Sequence, residues 1–205
     1  MTIIKNQRFY GTETFIPVPS DDLSHPLGDH AKIKSYQIAV YVGLTTLDEK
    51  ISPYVRAFPA ILDTGLSFHL HIDEAHLRRW AKPNPRSLRP HEGRFTVNGL
   101  PTTLYSASIW LHYNSGEQLS EASGRSRFHR PFVPRRDPIC LDRSFTIAVN
   151  PASDAERADV RRVPSPRLPT LGLRALVLND LSLHIEAGAR TLSIARKRKI
   201  GRLFS

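Results

Sequence analysis

The residues with the most chemistry to offer lie in one short stretch, Phe58-Pro59-Ala60-Ile61-Leu62-Asp63-Thr64-Gly65-Leu66-Ser67. An apolar run, Ala60 to Leu62, ends in a carboxylate, and a hydroxyl and a glycine follow at once. A carboxylate at the end of a buried strand is costly unless hydrogen bonds or a partner hold it. A tight glycine turn supplies backbone N–H groups for that purpose. Taken alone, the stretch also fits an ordinary Asp-x-Gly turn at a strand end. Just beyond it, His69, His71, Glu74 and His76 crowd together. A His-x-His pair on one strand faces one way and suits zinc with a third ligand. No further ligand is fixed by spacing, so solvent-facing histidines and no bound metal are expected. The serines lack a Gly-x-Ser-x-Gly setting, which argues against a serine hydrolase. No glycine-rich phosphate loop occurs, and no cofactor is expected. The single cysteine, Cys140, excludes an intramolecular disulfide and a cysteine-based zinc knot. It is expected to be a small buried hydrophobe.

Several elements must position Asp63. Tyr36, Ile38, Val40 and Val42 alternate with Gln37, Ala39 and Tyr41, which predicts a strand over Lys34 to Gly43. A second strand, Val55 to Leu62, would complete a hairpin and deliver Asp63 at its end. Phe68 to Ile72 reads as a strand leaving the turn, with His69 and His71 on one face. Asp73 to Trp80 begins with acids and ends with bases, the charge order of a short helix, stopped by Pro83 and Pro85. Arg94 to Leu100 carries Asn98-Gly99, a pair suited to a two-residue type I′ hairpin turn. Long strands are predicted over Leu104 to Tyr113 and Ile139 to Val149, the latter alternating Phe145, Ile147 and Val149. A short helix with Leu173, Leu176 and Leu178 on one side follows, then strands around Leu181 to Ile185 and Thr191 to Ile194. The expected class is all-β, mainly strands with two short helices and no internal repeat.

The chain has 205 residues, enough for one domain with sizeable insertions. A hydrophobic content of 40% fits a folded domain rather than a disordered one. No apolar run is long enough to cross a bilayer. Met1 to Arg8 lacks the apolar core of a signal peptide, so a cytoplasmic protein without a membrane partner is expected. The net charge of +10 is unevenly spread. Arg125, Arg127, Arg130, Arg135 and Arg136 fall in one stretch without an acid, Arg161, Arg162 and Arg167 in another, and Arg196-Lys197-Arg198-Lys199 near the end. These stretches are rich in Pro and Ser and read as solvated loops and a tail. Nucleic acid is a further candidate partner, against which the absence of an interleaved aromatic and basic face counts. The expected organisation is an N-terminal arm at 1–33, a domain at 34–195 with insertions near 117–137 and 151–167, and a basic tail at 196–205.

This order of parts resembles the retropepsin-like (retroviral-type) aspartic protease family. Asp63-Thr64-Gly65-Leu66-Ser67 is similar to that family's Asp-Thr-Gly motif, with Leu66 in place of the usual Ala. Thr170-Leu171-Gly172, opening a helix, is similar to its second motif, with Thr170 where an apolar residue is usual. Many members carry Arg directly after that glycine, whereas here Arg174 comes one position later. The resemblance covers roughly residues 34–195 apart from the insertions and implies a single-lobe acid-protease barrel. A two-lobed enzyme in one chain would need two Asp-Thr-Gly motifs. The chain has one, so the resemblance implies a homodimer with Asp63 from each copy at the two-fold axis.

The implied activity is an aspartic endopeptidase acting on polypeptides. Two adjacent carboxylates cannot both ionise cheaply, so they share a proton and titrate as a unit. One activates a water as general base, and the other polarises the scissile carbonyl. The resemblance makes Asp63, Thr64 and Gly65 the catalytic turn, with the Thr64 side chains bonding across the dimer. Ser67, Asn98 and Gly99 are the implied substrate-binding residues. Residues 94–105, turning at Asn98-Gly99, are the candidate flap over the cleft, and an ordinary surface hairpin is the other reading of that stretch. The alternative function is a catalytically inactive dimer of this fold that binds protein or nucleic acid.

Overall fold

The computed structural model describes residues 2–9, 11–18, 30–49, 55–81, 83, 85–93, 95–97, 99–113, 138–152 and 167–196. The Arg-rich stretches at 124–136 and 161–162, most of both expected insertions and the tail beyond Arg196 lie outside them. Among the described residues the fold is mainly β with two short α-helices. No described helix is long and apolar enough to cross a membrane.

Three strands open the chain: β1 (Thr2–Arg8), β2 (Thr14–Pro17) and β3 (His30–Ile33). The central strands are β4 (Ala39–Thr45), β5 (Phe58–Asp63) and β6 (Leu70–Asp73). Helix α1 (Glu74–His76) runs into a π-helical turn, Leu77–Ala81. Then come β7 (Arg89–Pro90), β8 (Phe95–Val97), β9 (Leu100–Ser106), β10 (Ser108–Leu111), β11 (Ile139–Cys140) and β12 (Thr146–Asn150). β13 (Thr170–Gly172), α2 (Leu173–Leu178), β14 (Leu181–Glu186) and β15 (Thr191–Arg196) close the described chain.

Ten strands form one curled sheet in the order β11-β10-β4-β5-β13-β6-β12-β9-β7, with β8 attached to β9. The curl follows from the chain itself. β9 and β10 are separated by Ala107 alone, yet they lie towards opposite ends of this order. Ala107 is fully buried and its N–H donates to the Phe145 carbonyl at 2.8 Å, marking the bend where one extended run changes neighbours. The expected single strand over Leu104 to Tyr113 is therefore two strands. A strand that bends between two sheet regions draws their edges together, giving a half-barrel.

β4 is buried at all seven positions. The alternation expected over Lys34 to Gly43 does not separate core from solvent, because both faces are covered. Val40, Val42 and Leu44 belong to the main core with Phe58, Leu70, Ile109 and Leu171. Ala39 belongs to a smaller cluster with Ile16 and Ile33 of the β2–β3 hairpin. The strand also begins later than expected, since Tyr36 takes φ 61° and interrupts the extended chain.

The expected arm at 1–33 contains two structured parts. β2 pairs β3, while β1 pairs β15, which pairs β14, in a second sheet of three strands. Ile3 and Ile4 are adjacent yet both buried in the main core. A register irregularity between Thr2 and Ile4 permits this, since successive residues of a regular strand face opposite ways.

His112 follows β10 and is almost fully buried. Burial lowers its pKa from 6.5 to about 4. Between those values the unfolded chain takes up a proton that the folded chain refuses, so this group's contribution is intact above pH 6.5 and declines toward pH 4. The loss is on the order of 2–3 kcal/mol. Urea unfolding at pH 7 and pH 4.5 is expected to show falling stability, and His112→Gln should flatten that slope. An equal slope in the variant would assign the acid sensitivity to other groups.

Candidate active site

Asp63 ends β5. Its strand is buried from Phe58 to Ala60, half-buried at Ile61 and Leu62, and exposed at Asp63. β13 joins β5 in parallel, pairing Thr170 with Ile61, Leu171 with Leu62 and Gly172 with Asp63. On its other side β13 runs antiparallel to β6, pairing Thr170 with His71 and Leu171 with Leu70. The two motifs, about a hundred residues apart in sequence, thus meet side by side in one sheet.

The chain leaving Asp63 turns back over this junction. Asp63 Oδ1 accepts the Gly65 N–H at 2.8 Å, so a backbone donor does hold the carboxylate. Thr64, Gly65 and Ser67 are exposed. Among the described residues, no hydrogen bond joins Ser67 to Asp63. Leu66 and Phe68 are half-buried and pass directly against Gly172. A Cβ on Gly172 would lie 2.2 Å from the Phe68 carbonyl oxygen and 3.3 Å from that of Leu66. The Gly172 N–H also donates to the His69 carbonyl at 2.9 Å. Its φ of -72° is ordinary, so this position needs glycine for space rather than for conformation.

Gly65 differs. A Cβ there would lie 3.5 Å from Asp63 Oδ1, an ordinary contact. Within one chain the position accepts a methyl group. Gly65→Ala is expected to unfold within about 0.5 kcal/mol of the native chain. A larger loss in denaturant titration would reveal a constraint absent from the single chain.

His69 and His76 are engaged within the fold. His69 is half-buried, and its Nδ1 accepts the Thr146 N–H at 3.1 Å, tying the exit of the turn to β12. Burial first, then the Arg174 charge, lowers its pKa and keeps the ring neutral. Solvent-facing histidines were the expectation for this pair, and a ring nitrogen that accepts a backbone N–H is the finding at His69. His76 is buried and stacked on Trp80 at 4.1 Å. Glu74 accepts Arg78 at 2.6 Å and, through its other oxygen, the Ala152 N–H at 3.0 Å. Among the described residues, no three His, Cys, Asp or Glu side chains are grouped to hold a metal ion. Cys140 is half-buried, and burial, with Asp142 nearby, pushes its thiol pKa up.

The candidate flap folds as a hairpin. Val97 pairs with Leu100, leaving a two-residue turn in which Gly99 takes φ 78°. Asn98 itself lies outside the described residues. The hairpin stands at the rim of the sheet, and among the described residues β8 pairs only with β9.

Asp63 borders a cavity of about 570 Å³. Ile61, Thr170 and His71 form one row across β5, β13 and β6, and Asp63 and Asp73 lie two residues further along their strands on the same face. All five border the cavity, whereas Thr64, Gly65, Ser67 and Gly99 do not. His71 Nε2 is buried without a hydrogen-bond partner. Composition gave no signal for His71 or Thr170 as cavity residues, because only the pairing of β13 with β6 brings them together.

Two further contacts brace the junction. Arg143 lies at the C-terminal end of α2, donating to the Leu178 carbonyl and to Asp180, each at 3.2 Å. A cation there complements the helix dipole. Ser144, fully buried, donates to the Ala175 carbonyl at 3.2 Å.

Fold and site together define a mainly β protein whose half-barrel sheet sets an exposed Asp-Thr-Gly turn beside a glycine-opened helix. No family model matches the chain, and no curated protein or solved structure matches it.

Proposed function

We propose that the chain is one half of an aspartic endopeptidase of retropepsin-like fold, acting as a homodimer. One observation carries this reading. Gly172 lies beside Asp63 in parallel register while the strand-exit loop closes over it at a distance only glycine allows. An ordinary Asp-x-Gly turn has no need of a second strand threaded beneath it. The exposure of Asp63 and Thr64 supports the dimer, since a lone carboxylate on an open surface has nothing to share a proton with.

In the dimer, two Asp63 carboxylates approach across the two-fold axis and hold one proton between them. The ionised member takes a proton from a water that attacks the scissile carbonyl. The protonated member polarises that carbonyl and then protonates the leaving amine. The Gly65 N–H, already bonded to Oδ1, fixes the carboxylate plane. Thr64 is available to bond with its counterpart in the second copy.

A catalytically silent dimer that binds polypeptide is the second reading. It is favoured by Thr170, polar where an apolar residue is usual, and by the Gly65 site, which tolerates a side chain within one chain. Digestion of a diverse peptide pool at acid and neutral pH, with the native and Asp63→Asn chains side by side, separates the two. Cleavage by the native chain alone is expected. Failure of the native chain at every pH, or equal cleavage by both, would overturn the protease reading.

A further inference from the structure

The cavity beside Asp63 has a charge pattern that the catalytic reading does not use. Lys32, Lys34 and Arg167 border it, against Asp63 and Asp73. The two acids are already engaged. Asp63 accepts the Gly65 N–H, and Asp73 Oδ1 accepts Asn150 Nδ2 at 3.2 Å. Asn150 Oδ1 in turn accepts the buried Thr102 hydroxyl, which fixes that arrangement. Lys32 pairs with Glu13 at 2.5 Å. Lys34 has no ion-pair partner among the described residues. Its backbone N–H donates to Gln37 Oε1 at 2.8 Å, which anchors the segment carrying it. At the inner row, His71 Nε2 lacks a partner, and Thr170 adds a hydroxyl.

An apolar side chain entering this space would meet Ile61 and Leu168 but leave Lys34, Thr170 and His71 unanswered. A basic one would face Lys34 and Arg167, with the Asp63 and Asp73 carboxylates already turned to the Gly65 N–H and Asn150. A long acidic side chain satisfies both parts, its methylenes on Ile61 and Leu168 and its carboxylate toward the cations. We propose that this cavity is a substrate subsite for an acidic side chain, glutamate above all, of a bound polypeptide. As a statement about substrate, the proposal rests on the protease reading, and its test separates the two.

Binding is read by fluorescence anisotropy at short times on the native chain and repeated on the Asp63→Asn chain, whose cavity lacks one carboxylate. The probes are three labelled peptide pools identical except for a central Glu, Gln or Lys. A charge pair with exposed Lys34, in the positive field of Arg167, is expected to make the Glu pool bind about fivefold tighter than the Gln pool at low salt. The Lys pool should bind most weakly, and the preference should shrink as salt is raised. Reversing the rim with Lys34→Glu and Arg167→Glu should bring Glu and Gln within about twofold, or invert them. Lys34→Gln alone, at an exposed position, should give an intermediate preference if the double variant folds poorly. Equal binding of the Glu and Gln pools overturns the subsite. The native chain is then given the same pools for cleavage. Cutting without a Glu preference overturns the subsite and leaves the protease standing. A Glu preference in binding with no cutting keeps the subsite and removes the protease.

Discussion

Gly172→Ala is expected to remove a large share of the chain's folding stability. The added Cβ would sit 2.2 Å from the Phe68 carbonyl oxygen, a backbone atom with no rotamer to escape into. Phe68 is not free to withdraw. The next residue, His69, is held at both ends, its carbonyl by the Gly172 N–H and its ring by the Thr146 N–H. Relief requires β13 to leave β5 or the loop at 66–68 to lift away. Either movement opens the sheet at its centre, where Leu70 and Leu171 are fully buried. Overpacking in a tight core usually costs about 1–3 kcal/mol. A clash with fixed backbone at a strand junction belongs above that range, at about 4 kcal/mol or more. That is a large share of the roughly 5–15 kcal/mol that holds a domain folded. Urea titration followed by tryptophan fluorescence measures it directly, since Trp80 lies in the same core. An alanine variant with a native midpoint would show that the loop does not close on Gly172. The contrast with Gly65→Ala, expected to be near neutral, makes the pair more telling than either alone.

The same junction shows what the sequence could and could not disclose. Asp63-Thr64-Gly65 and Leu171-Gly172 were legible as motifs because both require particular residue types. Their parallel pairing was not, because strand neighbours far apart in sequence leave no local trace. Asn98-Gly99 announced its hairpin through the residue type that φ 78° demands at Gly99. Alternation was a poorer guide. Between Leu104 and Leu111 the buried set is Leu104 and Ser106, then Ala107, Ile109 and Leu111. The phase slips by one residue at the bend, and a continuous alternating pattern conceals that slip. Phe145, Ile147 and Val149 were read as alternating along one strand, yet Phe145 lies just before β12 and is 44% exposed, while Ile147 to Asn150 are buried without alternation. β4 gave no face information, since both its faces are covered. His69 carried no signal at all, because its partner is a backbone N–H on a strand about eighty residues away.

On the protease reading, Asp63→Asn is expected to lower turnover sharply while leaving the fold intact, and the way it does so distinguishes a shared site from a private one. Asn keeps an Oδ1 acceptor for the Gly65 N–H but cannot take a proton from water. At an exposed position the substitution should alter stability by no more than about 0.5 kcal/mol. Loss of the general base should lower turnover by about two to four orders of magnitude. If each chain worked alone, mixing native and Asp63→Asn protein in equal amounts would halve the rate at fixed total concentration. If two copies share one dyad, random pairing leaves about a quarter of the dimers with both carboxylates, and the rate falls to about a quarter. In a mixed dimer the lone aspartate has no carboxylate with which to share a proton, so the division of labour between base and acid is lost. The curve of rate against native fraction should therefore be quadratic once subunits have exchanged. A straight line would place a complete catalytic site within one chain and remove the dimer from the mechanism. A quadratic curve would mean that the exposure of Asp63 belongs to the separated chain alone, and that the catalytic pair forms only when two such turns meet.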